Sequence, residues 1–568
     1  MSADATDADT ATIATPVPGQ DEPATEGGRR RRPRLSITGG VLGVVFAGLS
    51  VTPSLVPRAW FVQTLLVGLC VITGYALGAF LGWAYRALEL PDLPPRVRRV
   101  AWRVVGVVAL VGLPVAAWLG RGYQQEQRQL LGMDTEVSWL WLLAPYVGLL
   151  LAAFFLGIGR AVKWVARRLF GPLRRVVPPR VAWLIAIVIT AVVSWFLLSG
   201  VLIGTGIEVA DELFKGSNND DKPGVVDPQS PYRSGGPESG VSWESIGREG
   251  RQFIWEGLTA DEIAAVVGDP DAVEPVRAYV GLLAAEDARE RAALAMTELR
   301  RLGGFERGAI AVAAGTGSGW VDPKMSSSLE YATHGDVAIV STQYSYLPSW
   351  MSVLVDQERA EANAETLIAA LRVELDGLPS DQRPELYVFG ESLGAFSTGS
   401  AFTSVENMST TTDGALLVGP PSFDQTWQKV VAGRDEGSPV WKPRYGDGAL
   451  VRVAATDRDL LDLTLVWETD NPVIYLVHPS DPIVAWTADH AAWLDPRGPD
   501  VSPHMVAWPV VGVWQVSVDQ LNANGVPAGH GHIYDETVVS AWSEIVGPPA
   551  LPQAELEAIR AAILDPPR

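Results

Sequence analysis

Cysteine is almost absent from this chain, which has one, Cys70, in 568 residues. A single cysteine cannot form an intrachain disulfide, and it cannot build a zinc site from cysteine ligands. The sequence also lacks a Gly-rich lysine loop for phosphates, an HExxH motif and an EF-hand loop. We therefore expect no cofactor and no metal, and a fold stabilised by its core instead of cross-links.

Basic residues are scarce in the second part of the chain. Residues 206–568 contain 24 Lys and Arg against 54 Asp and Glu, whereas residues 1–205 contain 20 against 11. Nucleic-acid binding needs basic surface to neutralise phosphates, so this acidic composition argues against a nucleic-acid partner. The chain is also long enough for two structural units.

The first unit is dominated by long apolar runs with almost no charged residues. Residues 1–34 form an acidic, Ala/Thr/Pro-rich tail that ends in a cluster of arginines and is typical of a disordered segment. Each apolar run that follows is about long enough, at 1.5 Å per residue, to cross roughly 30 Å of hydrocarbon. The runs cover 35–52, 59–85, 100–119, 138–159 and 181–205. Such a succession is rare in water-soluble chains and predicts a five-helix transmembrane domain over 35–210.

Lys and Arg are concentrated in alternate loops of this domain. The segment before the first run, the loop after the second and the loop after the fourth are rich in arginine, whereas the loop after the first holds only Arg58. Cytoplasmic loops retain Lys and Arg, so the pattern places the N-terminus inside. We expect a multi-pass protein of the cell membrane with residues 206–568 outside the cytoplasm.

Short apolar runs and helical patterns alternate after a polar Gly/Pro/Ser/Asp-rich linker at 211–241. Continuous apolar strands separated by helices are typical of a mostly parallel sheet covered on both faces. The predicted strands are GAIAVAAG (308–315), DVAIVSTQ (336–343), LYVFG (386–390), GALLVGPP (414–421) and PVIYLVHP (472–479). The sequence therefore predicts an α/β domain over 242–568.

The pentapeptide Gly390-Glu391-Ser392-Leu393-Gly394 stands where the strand 386–390 turns into a helix. In a chain with 56 glycines this pattern alone is weak evidence, and the glycines could serve only to pack a turn. At a strand-to-helix turn, however, small flanking residues relieve crowding and the serine projects at the carboxyl end of the sheet. Ser392 is our candidate nucleophile.

A serine nucleophile needs a base and an orienting acid. Asp481 follows the strand 472–479, and His530 and His532 lie about 50 residues further on in a Gly-rich loop. Ser, Asp, His is the chain order expected for this architecture. Asp481 is also compatible with a simple turn residue, and both histidines with loop packing.

Two features favour His532 over His530 as the base. Gly531 frees the backbone before it, and Tyr534 can pack against its ring. Both histidines remain candidates.

An oxyanion hole should combine the N–H of Leu393, the residue after the nucleophile, with one N–H from a loop after an earlier strand. The loop 315–319, GTGSG, follows the strand 308–315, and Thr316 or Gly317 is the expected donor. A phosphate-binding loop is the alternative, but the lysine and the helix start that would support it are missing.

With Ser392 in GESLG, Asp481 in HPSDP and His532 in GHGHIY, residues 242–568 resemble the α/β-hydrolase fold. More narrowly, the chain is similar to the actinobacterial family of membrane-anchored α/β-hydrolases with a multi-helix N-terminal domain. The supporting segments are TPSLVPR (52–58), GREGRQFI (247–254), GTGSGWVDP (315–323) and QYSYLPSW (343–350). The resemblance covers most of 35–550 and implies a Ser/Asp/His triad without naming a substrate.

We predict a membrane-anchored serine hydrolase, or an acyltransferase, acting on ester-linked acyl groups at the outer membrane face. Aromatic residues at 343–351 and 422–445 favour a lipidic acyl donor, and a role in the core or in a contact between domains is the open alternative for them. Hydrolysis and transfer use the same residues and differ in which nucleophile releases the acyl group. A non-catalytic envelope scaffold is the main alternative, and a transporter-like module is disfavoured because the apolar runs lack internal charges.

Overall fold

The computed structural model describes residues 35–91, 93–173, 205–227, 229–236, 238–460, 467–487, 490–547 and 551–565, with scattered residues between 177 and 192. The predicted tail, 1–34, lies outside the described residues, and the fifth predicted span, 181–205, does so for the most part. Neither prediction is addressed by the structure.

The N-terminal part is built from long apolar helices. They are α1 (Ile37–Leu49), α2 (Trp60–Ala87), α3 (Pro95–Val107), α4 (Leu113–Leu130) and α5 (Ala144–Leu173), with a π-helical segment at Val108–Gly112 and a 3-10 helix at Trp139–Leu143. The π-helical segment joins α3 and α4 into one continuous helix.

Three helices in the described part of the chain are long and apolar enough to cross a membrane: Trp60–Ala87, Pro95–Leu130 and Trp139–Arg168. The first predicted span, 35–52, needs correction, because its helix, α1, has only 13 residues. At 1.5 Å per residue it reaches about 20 Å, short of the roughly 30 Å hydrocarbon core. The remainder of that run, from residue 50 on, turns away as a buried loop.

Helix α1 lies against a row of glycines on α2. A Cβ on Gly78 would lie 2.3 Å from the Thr38 carbonyl oxygen, and a Cβ on Gly74 would lie 2.7 Å from that of Leu42. The Thr38 hydroxyl donates to the Gly78 carbonyl at 2.5 Å. Small residues therefore allow close backbone contact, as in many membrane helix pairs. The start of α1 lies beside the end of α2.

The second part contains a seven-stranded parallel sheet in the order β1-β3-β2-β4-β5-β7-β6. The strands are β1 (Val276–Val280), β2 (Ala309–Ala314), β3 (Val337–Thr342), β4 (Glu385–Glu391), β5 (Gly414–Val418), β6 (Val451–Ala454) and β7 (Val473–Leu476). Helices cover both faces, so the predicted α/β class is confirmed. Strands β1 and β6 were not among the predicted strands.

Helices pack on both faces of this sheet. One group contains Ala288–Arg301, Gln357–Asp376 and Leu393–Ser400, and the other contains Ala260–Val267, Pro323–Ala332, Thr537–Ile545 and Gln553–Leu564. The other helices are Thr205–Asn218, Trp243–Ile246, Arg248–Trp255, Ser349–Val355, Val405–Thr411, Gln425–Ala432, Asp457–Leu460, His490–Trp493 and Val511–Asp519. Short 3-10 helices lie at Gly304–Glu306, Ser380–Gln382, Gly446–Gly448 and Gln520–Asn522.

The segment 211–241, expected as a linker, is partly built into the fold. The helix Thr205–Asn218 covers its start. Near its end, Ser234 N–H donates to the Arg277 carbonyl at 3.1 Å and Arg277 N–H donates to the Tyr232 carbonyl at 3.0 Å. This segment therefore extends the sheet beyond β1, because the outer edge of β1 offers unpaired backbone groups.

Candidate active site

The sheet reverses its winding between β2 and β4. From β2 the chain passes to β3 on one side and then returns to β4 on the other side. In open α/β sheets, ligands bind outside the carboxyl ends of the strands at such a switch point. The loop 315–319 leaves β2 there, and Ser392 follows β4. Two of the predicted site elements therefore share the position that the topology favours.

Ser392 has the strained backbone of a sharp strand-to-helix turn, with φ 55° and ψ −117°. A Cβ on Gly390 would lie 2.3 Å from the Gly394 carbonyl carbon, and a Cβ on Gly394 would lie 2.2 Å from the Ala314 carbonyl oxygen. Both glycines are thus required by the crowding around the turn. Ser392 itself stays partly exposed, and its N–H donates to the Val418 carbonyl at 2.9 Å.

Asp481 and His532 form a buried pair. Nδ1 of His532 lies 2.7 Å from Oδ2 of Asp481, and the side chains are 6% and 0% exposed. The other Asp481 oxygen accepts the Ile483 N–H at 2.8 Å. Tyr534 donates its hydroxyl to Oδ2 at 2.7 Å, and burial holds the pKa of this phenol well above its usual range. The carboxyl group is therefore fixed from several directions against the imidazole.

The second nitrogen of His532 remains available. Nε2 is buried and has no hydrogen-bond partner among the described residues. The ring lies against the end of β5, since a Cβ on Gly419 would be 2.6 Å from its Cε1 atom. The N–H of Ser392 is hydrogen-bonded to the carbonyl of Val418, the residue before Gly419. Ser392 and His532 thus lie beside the same two residues, Val418 and Gly419, and Nε2 of His532 is buried there.

His530 has a different environment. Its Nδ1 is 3.4 Å from Oδ2 of Asp500, and the side chain is 28% exposed. Asp500 in turn accepts the hydroxyl of Ser480. The structure brings His532, and not His530, into contact with Asp481. Tyr534 packs edge-on against the His532 ring with centroids 5.8 Å apart.

The predicted oxyanion donors lie at the same edge of the sheet. Leu393 is the first residue of the helix Leu393–Ser400, and first-turn N–H groups have no partner within a helix. The Thr316 N–H is already used, because it donates to the Trp320 carbonyl at 2.8 Å. Gly317 makes no backbone hydrogen bond within the described ranges. Of the two loop candidates, Gly317 is the one that keeps a donor.

Two side chains that the sequence analysis did not single out hold the loop 315–319. The buried Tyr279 hydroxyl donates to the Gly319 carbonyl at 2.8 Å. The Gln343 amide donates to the Ser318 carbonyl at 2.9 Å and to Oδ1 of Asn218 at 3.1 Å. In the sequence each is an isolated polar side chain near the end of a strand, and such a residue alone is a weak indication of function.

Glu391, next to the nucleophile, was also missed as an electrostatic element. Burial raises the pKa of its carboxyl well above the usual range, and the nearby negative charge of Asp322 raises this pKa further. The Glu391 carboxyl donates to Asp322, whose pKa is also raised by burial. The protonated, neutral form of Glu391 is therefore favoured. A neutral group here does not oppose negative charge developing beside Ser392.

A depression lies at the opposite edge of the sheet. It is lined by acidic residues and by His334, near the amino ends of β1 and β3. His334 is bonded to Asp269 at 2.7 Å and to Glu555 at 2.9 Å, so its nitrogens are engaged. Its lining residues include no serine or cysteine nucleophile. We therefore assign the candidate site to the carboxyl edge.

Two family models match the chain. One, described as the alpha/beta-hydrolase family, matches residues 276–559, from β1 into the last helix. The other, described as the alpha/beta-hydrolase family N-terminus, matches residues 51–257, from the loop after α1 to just beyond the helix Arg248–Trp255. No curated protein and no solved structure matches. The chain belongs to the alpha/beta-hydrolase family.

Proposed function

We propose that this protein is a serine hydrolase that cleaves ester-linked acyl groups through Ser392, His532 and Asp481. One observation carries the proposal. Asp481 holds one nitrogen of His532 at 2.7 Å, while the other nitrogen is buried, with no hydrogen-bond partner in the described part of the chain, beside the strand end to which Ser392 is hydrogen-bonded. A base oriented by an acid and left free towards a serine is the arrangement that activates a hydroxyl.

In this mechanism the Ser392 hydroxyl attacks the acyl carbonyl carbon while Nε2 of His532 accepts its proton. The N–H groups of Leu393 and Gly317 would stabilise the oxyanion. Collapse of the tetrahedral intermediate breaks the ester bond, and the imidazolium returns the proton to the departing alcohol. Water then attacks the acyl-enzyme by the same steps. An acceptor alcohol in place of water would give acyl transfer, so the released product distinguishes the two reactions.

A lipidic acyl group is supported by apolar side chains beside the loop 315–319. Gly317 packs closely on the segment that leads into the helix Ser349–Val355, because a Cβ on it would lie 2.4 Å from the Leu347 carbonyl oxygen. This helix leaves Trp350 and Leu354 65% and 76% exposed. Large apolar side chains exposed on a helix beside the loop of the expected oxyanion donor favour contact with acyl chains or the membrane surface.

The proposal is tested by labelling the full chain with a fluorophosphonate. We expect one adduct, located by peptide mass spectrometry on Ser392. Ser400→Ala should still be labelled, because Ser400 lies exposed at the far end of the same helix. Folded protein that is not labelled, or that is labelled equally in Ser392→Ala, would support the scaffold alternative. Weighing the adduct left by natural esters would then identify the acyl group.

We further propose that the hydrolase part lies outside the cytoplasm. The Arg-poor loops after α1 and α4 both contact it, as the apolar cluster of Val56, Leu131 and Val526 indicates. The arginines near the end of α2 and the start of α3, and those in the second half of α5, lie towards the opposite helix ends. Since cytoplasmic loops retain arginine, the hydrolase part should lie on the other side of the membrane.

A reporter fused after Arg568 checks this orientation. Alkaline phosphatase, which needs an oxidising compartment, should be active there, and a cytoplasmic fluorescent reporter should not. Fusions between α2 and α3, beside Arg86 and Arg96, should give the reverse result. A cytoplasmic signal after Arg568 would contradict the orientation without affecting the serine chemistry.

A further inference from the structure

A loop of the N-terminal part lies buried against the segment that precedes the catalytic histidine. This loop, residues 50–58, joins α1 to α2, and Leu55, Val56 and Arg58 are at most 1% exposed. We propose that it positions His532, so that the serine chemistry depends on the membrane part. The inference rests on the proposed function and concerns how its base is held.

The first link is a buried charge on the hydrolase side. Asp519, the last residue of the helix Val511–Asp519, accepts the Leu55 N–H at 3.0 Å. Its other oxygen lies 3.6 Å from Nε of Arg58, and both side chains are fully buried. A buried carboxylate is tolerated only with such partners. The end of this helix is therefore fixed to the loop 50–58.

Neighbouring amides add further links. The Gln515 amide donates to the Thr52 carbonyl at 3.1 Å, and the Asn522 amide donates to the Pro57 carbonyl at 2.7 Å. Apolar side chains of the same helix, Val511 and Val518, pack in a cluster with α2. The contact thus runs along the helix and into the turn that follows it.

That turn carries the histidine loop. The His532 N–H donates to the Ala523 carbonyl at 3.0 Å, one residue after Asn522. A Cβ on Gly531 would lie 2.6 Å from Cγ2 of Val526 and 3.6 Å from Cγ1 of Val56. The backbone of the base is therefore hydrogen-bonded to the segment that the loop 50–58 holds.

The loop itself is fixed to the helices of the N-terminal part. The Arg58 N–H donates to Oε1 of Gln124 at 2.5 Å, and the Trp141 indole donates to the Arg58 carbonyl at 3.1 Å. The Gln127 amide donates to the Ser54 carbonyl at 2.6 Å. Loop 50–58 is thus a rigid support, and its contacts transmit its position to His532. Arg58, Asp519 and Asn522 thus act as positioning residues for His532.

The test compares the kinetics of fluorophosphonate labelling in the full chain, in detergent, for wild type, Asp519→Asn and Asn522→Ala. Both changes should lower the maximal rate constant of labelling, by about 10- to 100-fold for Asp519→Asn, because small displacements of a base are costly. The half-saturating probe concentration and the final labelled fraction should stay at their wild-type values.

Trp514→Phe is the matched control, because it removes a bond from the same helix to Thr73 of α2 instead of to the loop. It should leave the rate constant unchanged. Wild-type rate constants in both variants would overturn the inference, as would a loss confined to the final labelled fraction, which indicates unfolding alone. If Asp519→Asn does not fold, Asn522→Ala decides. An unlabelled wild type would instead overturn the proposed function.

Discussion

Replacing His532 with glutamine should slow fluorophosphonate labelling of Ser392 by about 10⁴-fold or more, because loss of a triad base removes nearly all activation of the serine. Glutamine preserves the length of the side chain and a hydrogen bond to Asp481, so the loop should stay folded. The measurement is the second-order labelling rate constant in detergent, with thermal unfolding followed in parallel.

His530→Gln is the matched control. His530 lies two residues away in the same loop, but it is partly exposed and pairs with Asp500 instead of Asp481. Its replacement should leave the rate constant close to that of wild type. The reverse result, a large loss with His530→Gln and little change with His532→Gln, would move the base to His530.

The second large effect concerns stability. Glu330→Gln should reduce the free energy of unfolding of the hydrolase part by about 3–5 kcal/mol, because it leaves the buried charge of Arg277 without its counterion. Arg277 contacts Glu330 through two bonds of 2.6 and 2.9 Å, and neither side chain is exposed. The check is denaturant unfolding in detergent, followed by tryptophan fluorescence.

Glu374→Gln serves as the control for this measurement. Glu374 pairs with Arg300, but the side chains are 32% and 52% exposed. Its replacement should change stability by less than about 1 kcal/mol, since exposed ion pairs contribute little. Equal losses of unfolding free energy in the two variants would contradict a special role for the buried Arg277–Glu330 pair.

Buried arginines explain why the sequence pattern did not predict strands β1 and β6. Strands β2, β3, β4, β5 and β7 were predicted because they are covered on both faces and are therefore almost continuously apolar. Strands β1 and β6 each carry a buried arginine, Arg277 or Arg452, which interrupts the apolar pattern. The partners Glu330 and Glu544 are 53 and 92 residues away. No local pattern could have shown those pairs.

The candidate site was predictable in its order but not in its details. Strand ends placed Ser392, Asp481 and the histidine loop at one edge of the sheet. A spacing of two residues could not by itself show which imidazole meets Asp481, although Gly531 and Tyr534 favoured His532, because the outcome depends on the bend at Gly531, where φ is +54°. Nor could it show that the Thr316 N–H bonds Trp320 within its own loop.

The membrane part shows the limit of hydropathy. A run of apolar residues has the same composition whether it continues as a helix or turns into a buried loop. The first predicted run, 35–52, extends three residues beyond the end of α1 at Leu49, and the two prolines that follow in TPSLVPR, 52–58, cannot continue a regular helix. Its carbonyl and amide groups bond to side chains from distant parts of the chain instead.

One of those hydrogen bonds can form only late in the synthesis of the chain. The hydrogen bond from Leu55 to Asp519 joins residues that are 464 positions apart. At roughly 5–20 residues per second of synthesis, the loop 50–58 would wait on the order of 20 to 90 s for its partner. On the proposed function, the ribosome must have passed Asp519 before the base of the triad is secured. The nascent chain would thus enter the membrane before it could attack a lipid.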